Sequence, residues 1–150
     1  MEKKVIGYFL SRRDSEFTGQ EVADILLKYY EPKRKSLKVD FLGSSEIERL
    51  NAILDAVESV IGMHFDDFNV KSRKDELVMA RFYTIHFIYT RMSMSLKTIG
   101  IIMGGRDHST IIHARDMVET WLNHKEIYKR ENRLINEITR HLEPSPSGQE

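Results

Sequence analysis

No cysteine occurs in the 150 residues, which excludes disulfides and thiolate metal sites and fits a reducing compartment. No apolar run approaches the roughly 20 residues needed to cross a bilayer. The stretch from Met1 to Leu10 is apolar for too short a length before Arg12 and Arg13 to read as a signal peptide. A cytoplasmic protein without membrane association is expected. Net charge is also lacking, with 23 Lys and Arg against 23 Asp and Glu. Nucleic-acid binders are commonly basic, yet the distribution of charge matters more than the sum. Between positions 41 and 67 the acids Glu46, Glu48, Asp55, Glu58, Asp66 and Asp67 face only Arg49. Between 71 and 91 the balance reverses, with Lys71, Arg73, Lys74, Arg81 and Arg91 against Asp75 and Glu76. One edge of the fold is thus expected to be positive and another negative.

Catalytic patterns are missing as well. His108 and His113 stand five apart and do not share a helix face as metal ligands would. Neither Asp66 and Asp67 nor Glu46 and Glu48 form a defensible acid/base pair. No enzyme activity, metal or cofactor is expected.

What is present is helical periodicity. A hydrophobic share of 41% beside 31% charged residues allows one packed domain with a small appendage. Thr18–Glu21 has capping-box form and precedes Val22, Ile25, Leu26 and Tyr29, a helix that Pro32 ends. Lys33-Arg34-Lys35-Ser36 reads as an exposed linker. Residues 4–10 and 37–42 have β character without an evident partner. Ser45–Glu48 is a second capping box, opening the stripe Ile47, Leu50, Ile53, Leu54, Val57 and Val60 that Gly62 closes. A turn with Phe65 and Phe68 leads to Lys71-Ser72-Arg73-Lys74. Residues 76–91 form a helix apolar nearly all round, as at the centre of a bundle. A short helix over 95–103 is broken by Gly104-Gly105. Asp107 caps the next helix, which carries Ile111, Val118, Trp121 and Leu122. A last helix over 125–142 presents Ile127, Leu134, Ile135, Ile138 and Leu142. The domain expectation is therefore 1–45 as an N-terminal segment with one helix, 46–142 as an all-α domain, and 143–150 as a disordered tail.

Two short helices joined through glycines, the second opening on small polar side chains, have the form of a helix-turn-helix. The second helix would place its first turn in a major groove, where the positive dipole end and free N–H groups favour phosphate and base acceptors. His108 can donate to guanine or thymine acceptors, Ser109 can donate or accept, and the Thr110 methyl can meet a thymine methyl. Gly104 and Gly105 supply the positive φ values that a tight turn requires.

The run Gly104-Gly105-Arg106-Asp107-His108-Ser109-Thr110-Ile111-Ile112-His113-Ala114 resembles the signature of the DNA-binding domain of the bacterial replication initiator DnaA family. The resemblance extends without a gap through Ser95-Leu96, Ile99-Gly100, Ala80-Arg81 and Lys71-Ser72-Arg73 to residue 46. It implies a helical bundle of the Trp-repressor-like type that binds double-stranded DNA. It further implies that Arg73 enters the minor groove, that Asp107, His108, Ser109 and Thr110 read base edges, and that Arg81 and Arg106 meet the backbone. Lys71 and Lys97 are added as expected phosphate contacts.

The chain departs from the family pattern at three places. Phe82 and Tyr89 stand where the family has polar or basic residues, and Leu96-Lys97-Thr98-Ile99 replaces a proline-containing stretch. No Gly-x-x-x-x-Gly-Lys-Ser/Thr loop occurs, so the resemblance is to the DNA-reading domain standing alone, with no nucleotide expected. A regulator of replication or transcription, bacterial or from a phage or mobile element, is the expectation. Partners could then include a second copy or a replication protein. The alternative is a helical interaction module that kept the fold, lost strong DNA binding, and works through its acidic 41–67 surface.

Overall fold

The computed structural model describes residues 34–143. Six helices follow one another: α1 (Ser44–Ile61), α2 (Phe65–Phe68), α3 (Asp75–Met92), α4 (Leu96–Ile102), α5 (His108–Asn123) and α6 (Lys129–Leu142). Among the described residues there is no strand, so the domain is all-α. The segment 37–42, expected to have β character, is irregular chain ending in a turn over 40–42, with Leu37 buried. The expected helix over 18–29 and the residues after Glu143 lie outside the described residues.

Helix α1 buries Leu50, Ile53, Leu54 and Val57 on one stripe, as their spacing requires. Its N-cap is Gly43 rather than Ser45, because Glu46 sits three residues on and its Oε1 accepts the Gly43 N–H at 3.0 Å. Gly62 ends the helix at φ 80°, its N–H donating to the Glu58 carbonyl. The expected Phe65 turn is one helical turn, with both rings buried edge to face at 5.4 Å.

Helix α3 lies at the centre, packed against α1, α4 and α5, which accounts for its apolar circumference. Trp121 of α5 is 4% exposed and gathers Phe82, Tyr83 and Tyr128 around it. Phe82 also meets the ring of exposed His113 edge-on at 5.6 Å, and Arg115 lies over Tyr89 at 5.7 Å. The two α3 positions that depart from the family pattern are thus occupied in holding α5. Helix α6 begins at Lys129, later than expected. Residues 124–128 form a turn whose Ile127 is 68% exposed rather than part of the inward stripe. Asn132 secures α6 by donating to the Trp121 and Tyr128 carbonyls, each at 2.8 Å.

Tyr83 is fully buried, and its hydroxyl has no hydrogen-bond partner among the described residues. Burial pushes the phenol pKa up, so the proton stays in place without an acceptor. Tyr83→Phe is expected to raise the unfolding free energy by about 1 kcal/mol, since it removes an unsatisfied donor at constant shape. Urea titration checks this, and a stability loss instead would reveal a partner for the hydroxyl.

Residues 34–36, the described part of the expected linker, are fixed to the domain together with 37 and 38. Arg34 is 3% exposed. Its guanidinium donates to Glu58 Oε2 at 3.0 Å and Oε1 at 2.8 Å, Asn51 Oδ1 at 3.0 Å, and Asp55 Oδ1 at 2.5 Å. Burial opposes its charge, but the hydrogen bonds to Glu58 and Asp55 outweigh it and raise its pKa. Asp66 accepts the N–H groups of Lys35 and Ser36 and the Ser36 hydroxyl, at 2.9, 2.8 and 2.7 Å. Burial opposes the charge of Asp66, yet those bonds to Ser36 and Lys35 hold its pKa below the usual carboxylate range. The compact unit therefore reaches back to Arg34 rather than starting at 46. At its other end Glu143, expected to open a tail, pairs with Arg91 at 2.9 Å.

Candidate nucleic-acid interface

The turn between α4 and α5 closes on one residue, Gly100, whose carbonyl accepts the N–H groups of Gly105 at 2.9 Å and Arg106 at 2.8 Å. That path requires left-handed backbone at Gly104 and Gly105, with φ of 88° and 86°. Asp107 then caps α5: its Oδ2 accepts the Ser109 N–H at 2.9 Å and also the Ser109 hydroxyl. Those bonds to Ser109 lower the Asp107 pKa and keep the cap ionised. His108, Ser109 and Thr110 follow on the exposed first turn.

A buried amide joins this turn to the basic loop. Asn69 is 8% exposed. Its Nδ2 donates to the Met103 carbonyl at 3.1 Å and to Ser36 Oγ at 3.2 Å. Its Oδ1 accepts from Arg106 Nε at 3.1 Å, and Arg106 Nη2 donates to the Val70 carbonyl at 3.0 Å. One side chain thus ties segment 34–38, the loop after α2 and the helix-turn-helix together. Arg81 is 8% exposed and lies beneath the same loop. Its Nη1 donates to the Phe68 carbonyl at 2.8 Å and its Nη2 to the Ser72 carbonyl at 2.6 Å. The residue expected to meet the DNA backbone is thus bound within the domain. With both terminal nitrogens directed at loop carbonyls, the residue positions the loop from below.

The remaining predicted residues divide around two open cavities. Lys71, Arg106, Asp107 and Thr110 line one of about 470 Å³, together with Lys38 and Gly104. Lys97, Arg106, Asp107 and His108 line another of about 570 Å³, together with Ile101. Gly105, Arg106 and Asp107 line both. Arg73 is exposed on the loop and borders neither, and Ser109 is exposed on the first turn of α5. Of the acids between 41 and 67, Asp55, Glu58 and Asp66 accept hydrogen bonds from residues 34–36, and Glu46 caps α1. Much of the expected acidic face is therefore engaged within the domain. Among the described residues no cluster of three or more His, Asp or Glu could hold a metal ion, and no helix is long and apolar enough to cross a membrane.

Sequence reasoning missed Asn69, Ser36, Lys38 and the role of Gly100. A glycine inside a helical pattern is itself a signal for close packing, and Gly100 carried it. Nothing local marked the other three, whose partners come from distant segments.

A family model described as the bacterial DnaA protein helix-turn-helix matches residues 50–118, from within α1 to within α5. The chromosomal replication initiator protein DnaA of Chlorobaculum tepidum is 34% identical over 94 residues, which is 63% of this chain and 18% of that protein. The protein of the same name from Bifidobacterium animalis subsp. lactis is 32% identical over 104 residues, 69% of this chain and 18% of its own length. The chain spans less than a fifth of the length of these curated relatives, and the segment 34–49 and helix α6 lie outside the family match.

Proposed function

Since residues 50–118 match the helix-turn-helix model of the bacterial DnaA protein, we propose that this chain binds double-stranded DNA sequence-specifically, at sites resembling those of the initiator. The observation that carries the reading is the joint placement of two elements. The exposed first turn of α5 and the basic loop are held to one another through Asn69 and Arg106. Such a coupling lets one element lie in a major groove while the other follows the adjacent backbone and minor groove. In this reading His108, Ser109 and Thr110 meet base edges, with Asp107 beside them chiefly as the cap. Arg73 enters the minor groove, where A·T-rich sequence narrows the groove and favours an inserted arginine. Lys71, Lys97 and Arg106 face phosphates.

The biological role follows as a further part of the proposal. A chain that occupies initiator-type sites regulates replication or transcription there, with competition against an initiator as one route. The engagement of Asp55, Glu58 and Asp66 inside the domain weighs against an acidic working face for a protein partner.

Selection from random duplexes tests the reading. The wild-type chain is expected to enrich a defined site. His108→Ala should relax one or two positions, each worth about 1–3 kcal/mol of discrimination, and Arg73→Ala should weaken an A·T-rich flank. Absence of duplex binding by the folded chain at about 50 mM salt would overturn the proposal. Identical enrichment by both variants would overturn the assigned residue roles.

A further inference from the structure

The cavity between the basic loop and the start of α5 has a wall that the family match does not include. Segment 34–38 supplies it, through Ser36 and Lys38. The Lys38 backbone is pinned at the end of α4, where its N–H donates to the Ile102 carbonyl at 3.0 Å. Arg34 and Asp66 fix the residues before it, and Ser36 touches both Asp66 and Asn69. Among the described residues, the exposed Lys38 ammonium makes one long contact of 3.5 Å, to the Lys35 carbonyl. Its cavity neighbours Lys71 and Arg106 are cationic, and the one acid on the lining, Asp107, is committed to Ser109. Three cations around an opening at the N-terminal end of a long helix form a site for a phosphodiester.

We infer that Lys38 is a DNA-backbone contact, so that the segment preceding the family-matched residues forms part of the DNA-binding surface. The inference rests on the proposed duplex binding and adds a residue to it. Because the backbone of the segment is already fixed, ordering it costs little on binding. A phosphate contact carries no base information, so Lys38 should strengthen binding to every sequence alike.

The experiment titrates the full chain into two fluorescent duplexes, one bearing the sequence enriched by the wild type and one of random sequence, across about 50–200 mM salt. One released counterion changes affinity about fivefold at 0.15 M salt, and its loss flattens the logarithmic salt slope by about 0.9. Lys38→Ala is expected to show both changes on both duplexes, with unchanged base preference and unchanged thermal unfolding. Lys38→Arg should restore them. Lys35→Ala, on the same segment but outside the cavity lining, should change binding far less. Wild-type affinity and slope in Lys38→Ala would overturn the inference and leave duplex binding intact. So would equal losses in the Lys35 and Lys38 variants, which would point to general charge rather than to the cavity. A wild-type chain that binds neither duplex removes both proposals together.

Discussion

Arg34→Ala is expected to lower the unfolding free energy by roughly 3 kcal/mol, the low end of the cost of breaking a buried ion pair from one side. The guanidinium is almost fully enclosed, and the substitution removes its ion pair with Glu58, which is 14% exposed. Asp55 is 56% exposed and contributes less, because water screens that pair. Loss of the anchor also frees Leu37 from its buried position and loosens the bonds from residues 35 and 36 to Asp66. For a unit of this size the melting temperature should fall by about 10 °C. A double variant gives the sharper check. Glu58→Gln retains an acceptor for the Phe65 N–H, which now donates to Glu58 at 2.7 Å. Combined with Arg34→Ala, it should cost less than the sum of the two single substitutions, because both remove the same ion pair. A cost below 1 kcal/mol for Arg34→Ala, or additive losses in the double variant, would show that the pair contributes little.

The second large effect concerns Gly100. A Cβ at this position would stand 2.5 Å from the Arg106 carbonyl oxygen and 3.6 Å from Cγ1 of Ile111. The first is a backbone atom and cannot swing aside as a flexible side chain would. Gly100→Ala must therefore push the turn away from α4 and strain the two N–H bonds that converge on the Gly100 carbonyl. We expect a stability loss of roughly 2 kcal/mol from overpacking. Duplex affinity should fall at least about tenfold, equivalent to about 1.4 kcal/mol, as Asp107 and His108 move with the turn. Chemical denaturation and anisotropy titration measure the two losses separately. Wild-type stability in Gly100→Ala would mean that the turn relaxes without strain.

Features set by nearest neighbours were legible in the sequence. Asp107 caps because a short carboxylate two residues before Ser109 reaches its N–H, and Gly62, Gly104 and Gly105 take the left-handed conformation that other residues resist. The α1 stripe and the crowded α3 follow from spacing alone. At the start of α1 the sequence pointed to Ser45 with Glu48, whereas the observed cap pairs Gly43 with Glu46. Ile127 fitted a helical stripe by spacing, but the chain turns through 124–128 before α6 begins.

Features set by distant partners were not legible. Arg34 reads as one of several basic residues beside Lys33 and Lys35, and its partners stand 17 to 24 positions away. Arg81 has Asp75 and Glu76 nearby in sequence, yet it bonds the carbonyls of Phe68 and Ser72. Backbone acceptors have no sequence signature, so burial of Arg81 beneath the loop could not be anticipated. The same holds for Asn69, whose three partners come from two segments more than 30 positions away.

The partners of Arg81 and Arg106 have an electrical consequence. Carbonyl oxygens satisfy hydrogen bonds but cancel no net charge, and among the described residues neither guanidinium has a carboxylate within ion-pair distance. Burial lowers the pKa of both, and for Arg81 the neighbouring Arg106 adds to the effect. Arginine nonetheless remains protonated at neutral pH. Two full positive charges therefore sit under and beside the loop, in surroundings that screen them poorly. Their potential extends outward over a Debye length of about 8 Å at physiological ionic strength. A polyanion approaching the loop would be drawn by Arg81 from a distance, so a chain of zero net charge presents a local attraction that its composition conceals.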